Sequence, residues 1–144
     1  RSAVLALKDG RHDVASALGG RIAALIRPDT MLVPVPTTSA RRRVRGIDGV
    51  REVARAAAAI SGATLCDVLV HAGTDAQRGR SRDARLAARG RFRCTRRLGG
   101  RLVLLDDVCT TGATLADCAA VLRDAGAAVR QAVVAAIAPN DPGP

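Results

Sequence analysis

The chain has 144 residues and a formal net charge of +10, and Phe92 is its only aromatic residue. That length supports one domain with a single sizeable core, which must be built from Ala, Val, Leu and Ile. The composition leaves almost no aromatic surface for stacking a nucleic-acid base, and no apolar run approaches the ~20 residues of a membrane-spanning helix.

No signal-peptide pattern opens the sequence, and a start on Arg1 rather than Met leads us to expect a missing N-terminal piece. Val4 to Lys8 reads as a short helix or helix end, broken by Asp9-Gly10. His12 to Ile26 carries Val14, Leu18, Ile22, Leu25 and Ile26 at helical spacing, and Arg27-Pro28-Asp29 stops it. Met31 to Val35 is a short apolar strand closed by Pro34 and Pro36. Gly49 to Ile60 is an alanine-rich helix ending at Ser61-Gly62, and Thr64 to Val70 a second strand. Ala72 to Gly100 is polar and arginine-rich with no sustained apolar stripe. It exceeds the usual ~12 to 15 residues of a loop in a compact domain, which points to a functional lid. Leu102 to Asp106 is a third strand, Ala113 to Ala125 a helix ended by Gly126, and Ala128 to Ala138 a fourth strand. This alternation predicts an α/β fold, a mostly parallel sheet flanked by helices, in one domain over residues 1–138 with a flexible tail at 139–144.

The stretch Leu102 to Thr114 carries the chemistry. A four-residue apolar run, Leu102-Val103-Leu104-Leu105, ends in Asp106 and Asp107; Val108-Cys109 and the loop Thr110-Thr111-Gly112-Ala113-Thr114 follow, and a helix begins at once. A continuous apolar run fits a strand buried on both faces. Its carboxyl end is where open α/β sheets bind ligands. Paired carboxylates accept hydrogen bonds from vicinal hydroxyls, and loop amides at a helix N-terminus suit a phosphate. A ribose 5-phosphate has both features. An N-capped helix with Thr110 or Thr111 as cap explains the threonines but not the two acids. A Walker B strand would need a GxxxxGK[ST] loop, and none is present.

A second constellation is Val33-Pro34-Val35-Pro36, then Thr37, Thr38, Ser39, Ala40 and the arginines Arg41, Arg42, Arg43 and Arg45 before Gly46. Arginine suits bidentate contact with phosphate oxygens; a solvated basic turn is the alternative. The four cysteines, Cys66, Cys94, Cys109 and Cys118, have no CxxC spacing, and neither His12 nor His71 lies near one. No metal site is therefore expected, and Cys66 and Cys118 read as small buried apolar residues. The positive charge invites a DNA partner. It is carried by arginine, with Lys8 the only lysine, and coding composition explains an Arg- and Ala-rich chain equally well.

The Leu102 to Thr114 stretch resembles the phosphoribosyl pyrophosphate (PRPP) motif of type I phosphoribosyltransferases. Together with Val4 to Gly10, the Val-Pro-Val-Pro run, Arg45-Gly46, Gln77, Arg85 and Phe92, the chain resembles the ComF branch, which is associated with competence and DNA uptake. The resemblance implies a type I phosphoribosyltransferase-like (Rossmann-like) fold with a flexible hood loop. It implies that Asp106 and Asp107 bind the ribose hydroxyls and Thr110, Thr111, Gly112, Ala113 and Thr114 the 5-phosphate. The loop with Thr37, Thr38, Arg41 and Arg45 would bind pyrophosphate, and magnesium would be carried with PRPP. It further implies transfer of a phosphoribosyl group to an unidentified acceptor and a homodimer as one arrangement; a cytoplasmic location is expected from the cysteines, which read as reduced thiols. The alternative is a catalytically weak PRPP- or nucleotide-sensing protein linked to DNA uptake. Where ComF relatives have Asn and Gln after Arg-Gly, this chain has Asp48 and Gly49, and where purine-type relatives have a loop Asp it has Thr110.

Overall fold

A computed structural model describes residues 12–37, 48–72, 88–89 and 91–137. Along the chain these form α1 (His12–Ala23), β1 (Met31–Pro34), α2 (Gly49–Ser61), β2 (Thr64–Leu65), β3 (Leu69–His71), β4 (Ala88–Arg89), β5 (Phe92–Cys94), β6 (Arg101–Cys109), α3 (Ala113–Asp124) and β7 (Ala128–Ile137). The strands β2-β1-β6-β7 make a four-stranded parallel sheet. A smaller antiparallel sheet runs β3-β5-β4.

The apolar run of β6 is continuous because both faces of the sheet are covered. Leu102 and Leu104 join Val33, Cys118, Val121 and Leu122 on the side of α3. Val103 and Leu105 join Leu32, Val53, Ala54 and Ala57 on the side of α1 and α2. Leu102, Leu104 and Leu105 are at most 1% exposed, and each such side chain stabilises the fold by roughly 1.5–3 kcal/mol. The two helices on the second face approach closely through small residues. A methyl group on Gly19 of α1 would lie 2.5 Å from the Ala56 Cβ of α2.

The chain departs from the expected elements at identifiable places. α1 stops at Ala23, and the last apolar positions, Leu25 and Ile26, sit in tight turns closed by i→i+3 bonds to Ile22 and Ala23 ahead of Pro28. The expected strand from Thr64 to Val70 is two strands. Cys66 makes the last bond to β1, from its N–H to the Leu32 carbonyl at 2.9 Å; Val68 N–H then turns back onto the Cys66 carbonyl at 3.1 Å. Past that turn Leu69–His71 pairs with Phe92–Cys94 instead. The stretch expected to be a lid without an apolar stripe, Ala72 to Gly100, contains β4 and β5, and Phe92 there is 2% exposed. The Val4 to Lys8 segment, residues 73–87 of the expected lid and the tail lie outside the described residues. Among the described residues no helix is long and apolar enough to cross a membrane.

The strand order creates a crevice. β1 leads through α2 to β2 on one side, and β6 leads through α3 to β7 on the other. Connections that diverge in this way leave a gap between the carboxyl ends of the two central strands, which is where parallel sheets accept ligands. The final bond from the β1 side reaches β6 at Leu105, whose carbonyl accepts from Val35 N–H at 2.8 Å. β7 continues to pair with β6 as far as Cys109.

Candidate functional site

Asp106 is the first residue of β6 past that final bond from the β1 side, so it stands where the crevice opens. β6 runs on to Cys109 rather than ending at the acids. Asp106 is 9% exposed and Asp107 half-buried. Each carboxylate accepts from the next backbone N–H: Asp107 N–H to Asp106 Oδ1 and Val108 N–H to Asp107 Oδ1, both at 2.8 Å. Strand alternation continues the Leu102 and Leu104 face at Asp106 and the opposite face at Asp107. The charge of Asp106 is accordingly felt by Cys118 on α3. Burial first, then Asp106 and Asp117, push that thiol up to about 12, against the opposing pull of Arg91.

Beyond the strand, Gly112 caps α3 with φ +78°, and no side chain caps the first turn. Neither Thr110 nor Thr111 is the cap residue. Thr111 Oγ1 instead accepts from Ala113 N–H at 3.3 Å and braces the turn, while Ala116 N–H makes the first helical bond to the Gly112 carbonyl at 2.9 Å. An uncapped first turn carries the positive end of the helix dipole and N–H groups suited to an anion. The loop encloses a hollow of about 30 Å³ lined by Asp106, Val108, Cys109 and residues 110–115. One carboxylate and the whole Thr110 to Thr114 loop thus meet; Asp107 does not line this hollow.

A larger cavity of about 350 Å³ lies at the exit of β1, between Pro36, Thr37, the start of α2 and β3. Thr37 Oγ1 donates to Asp48 Oδ1 at 3.0 Å, and the same oxygen accepts from Arg51 N–H at 3.3 Å, so Asp48 is both the N-cap of α2 and the anchor of Thr37. Arg51 Nε pairs with Asp67. His71 Nε2 lies 3.0 Å from the Pro36 carbonyl; a carbonyl only accepts, so Nε2 carries the proton. The His71 ring rests on Phe92 with centroids 5.0 Å apart. Thr38, Arg41 and Arg45 lie outside the described residues.

No known protein family matches the chain, and no curated protein matches it. Among the described residues no group of three or more His, Cys, Asp or Glu side chains could hold a metal ion. None of the four cysteines is in a disulfide, and Cys66, Cys94 and Cys118 are buried.

Sequence reasoning missed Arg51, Asp67, His71 and Arg91. Asp48 was visible only as a departure from the ComF pattern, although an Asp directly before an alanine-rich helix is a capping signal. His71 and Arg91 had no local signal, because their partners are distant in sequence. Arg91 Nη2 reaches Thr114 Oγ1 at 3.4 Å and Asp117 Oδ2 at 3.3 Å, which ties the small sheet to the loop.

Proposed function

We propose that the chain binds PRPP in the crevice between β1 and β6 and transfers its phosphoribosyl group to an acceptor with release of pyrophosphate, as type I phosphoribosyltransferases do. The observation that carries this reading is the junction of Asp106 with a glycine-capped helix start at the topological switch point of a parallel sheet. A ribose 5-phosphate presents both hydroxyls for a carboxylate and a phosphate for a helix start.

In this reading the loop amides and Thr114 hold the 5-phosphate, and Asp106, the acid at the loop hollow, takes the ribose hydroxyls. The C1–O bond to pyrophosphate breaks as the acceptor bonds to C1, through a transition state of oxocarbenium character. The protein's part is to fix the sugar and to neutralise the leaving group, without a covalent intermediate. Thr37, held by Asp48, and the arginines that follow it are the groups for pyrophosphate. Magnesium takes most of its ligands from phosphate and water oxygens and needs one or two carboxylates at most; Asp106 would fit that need. When bound, the ion supplies charge neutralisation on the pyrophosphate.

Calorimetric titration of the full chain with PRPP and magnesium tests the site. Binding is expected for the wild type and a loss of at least about tenfold for the combined Asp106→Asn, Asp107→Asn variant, the scale of one charge-assisted hydrogen bond. Equal affinity in both proteins would remove the acids from the site. Pyrophosphate release with a panel of bases and amines then separates transfer from binding alone.

A further inference from the structure

We infer that Arg91, carried by the turn between β4 and β5, is a ligand for the 5-phosphate of the sugar phosphate bound at the Thr110 to Thr114 loop. This assignment rests on the PRPP reading above and adds to it a side chain outside the motif. Thr114 closes the loop and stands in the first turn of α3. A phosphate on that turn takes a hydrogen bond from Thr114 Oγ1, the same atom that Arg91 Nη2 approaches at 3.4 Å. The guanidinium therefore already stands beside the place where the anion would lie.

The ion pair that holds Arg91 against α3 is a weak one. Its pair with Asp117 is 3.3 Å long between side chains 59% and 43% exposed, a kind of pair that contributes little to stability. Among the described residues both of its hydrogen bonds use Nη2 and both exceed the usual N–H···O range, so neither holds the guanidinium firmly. The remaining donors of its planar fork suit two phosphate oxygens at once. The guanidinium carbon lies 5.5 Å from the centroid of Phe92, and that ring is buried in the core. Arg91 also acts electrostatically on Cys118, as do Asp106 and Asp117, which puts the arginine and the buried acid of the loop in one field. On binding, the guanidinium exchanges the Asp117 carboxylate for the phosphate. The loop then favours phosphorylated sugars over their neutral counterparts by more than its amides alone provide.

The test is titration of the full chain with ribose 5-phosphate and with PRPP plus magnesium, in the wild type, Arg91→Ala, Arg91→Lys, Asp117→Asn and the Arg91→Ala, Asp117→Asn pair. Arg91→Ala is expected to weaken both ligands about 10- to 100-fold, the range of a charge-assisted hydrogen bond, and Arg91→Lys to recover part of it. Asp117→Asn is expected to tighten binding when Arg91 is present and to do markedly less when it is Ala. A merely structural ion pair predicts the opposite, with both single variants weakening binding in step with a fall in thermal midpoint. Equal affinities of wild type and Arg91→Ala, or weaker binding by Asp117→Asn, would overturn the assignment of Arg91 alone. A wild type that binds neither ligand would overturn the PRPP reading and the role of Arg91 with it.

Discussion

Thr37 Oγ1 donates to Asp48 Oδ1 at 3.0 Å, so the two ends of the basic segment between them are fastened together at the start of α2. The same carboxylate oxygen accepts from Arg51 N–H. Removing it exposes one first-turn donor and frees Thr37. Asp48→Ala is expected to cost about 1–2 kcal/mol, from a lost cap and a lost hydrogen bond, whereas Asp48→Asn keeps an acceptor and costs a few tenths. Urea unfolding of the three proteins measures the difference. Equal midpoints for wild type and Asp48→Ala would refute the cap.

Two adjacent glycines in α1 are expected to respond with opposite signs. A methyl at Gly19 meets Ala56 Cβ at 2.5 Å and the Ala57 nitrogen at 3.0 Å, whereas one at Gly20 meets only the tip of Ile60 at 3.8 Å. Gly19→Ala must push α1 from α2 and is expected to destabilise by about 1–3 kcal/mol. Gly20→Ala removes helix-destabilising backbone freedom without a clash and is expected to stabilise by about 0.5–1 kcal/mol. Thermal or urea midpoints that move the same way for both would contradict the packing.

How far the sequence reveals this arrangement depends on whether a signal is local. Leu102 to Leu105 announces a doubly buried strand because four apolar residues in a row have no other economical use, and Gly112 beside the threonines announces the turn. Both the parallel sheet and the helices that flank it follow from such runs. The break at Cys66 to Val68 is not legible, since Thr64 to Val70 reads as one run. It arises because Leu69 to His71 finds its partner in Phe92 to Cys94 rather than in β1. β5 itself is three residues long, too short for a period of two to stand out. The adjacency of Asp106 and Asp107 suggests a side-by-side pair; strand alternation instead assigns them to opposite faces, with Asp106 alone at the loop hollow.

Cys118 links stability to alkaline pH. Burial raises its thiol from the ordinary 9.0 to about 12 in the folded chain, helped by Asp106 and Asp117. Between those values the unfolded chain has lost the proton and the folded chain keeps it. The contribution is therefore fully present below about pH 9 and is lost as pH rises towards 12. Unfolding free energy measured across that window is expected to fall more steeply in the wild type than in Cys118→Ala. Parallel curves would show that the thiol is not protected. Alkylation of the native chain at pH 8 is expected to reach the half-buried Cys109 before Cys66, Cys94 or Cys118.

Gly112 and Gly126 both hold positive φ, at +78° and +99°, but their surroundings differ. A Cβ at Gly112 finds only Cys109 Sγ at 3.9 Å, an ordinary contact, so Gly112→Ala costs mainly the left-handed backbone, about 1–2 kcal/mol. A Cβ at Gly126 would lie 2.7 Å from the Leu98 carbonyl oxygen, so Gly126→Ala adds a backbone clash and is expected to cost more. Function orders them the other way. The Gly112 turn sets where the first N–H groups of α3 point, and ribose 5-phosphate affinity is expected to fall at least about tenfold in Gly112→Ala while changing little in Gly126→Ala. Titration and urea unfolding of the same two proteins check both orders. If the more destabilised protein also lost more affinity, the loop's part in phosphate binding would reduce to general loosening of the fold.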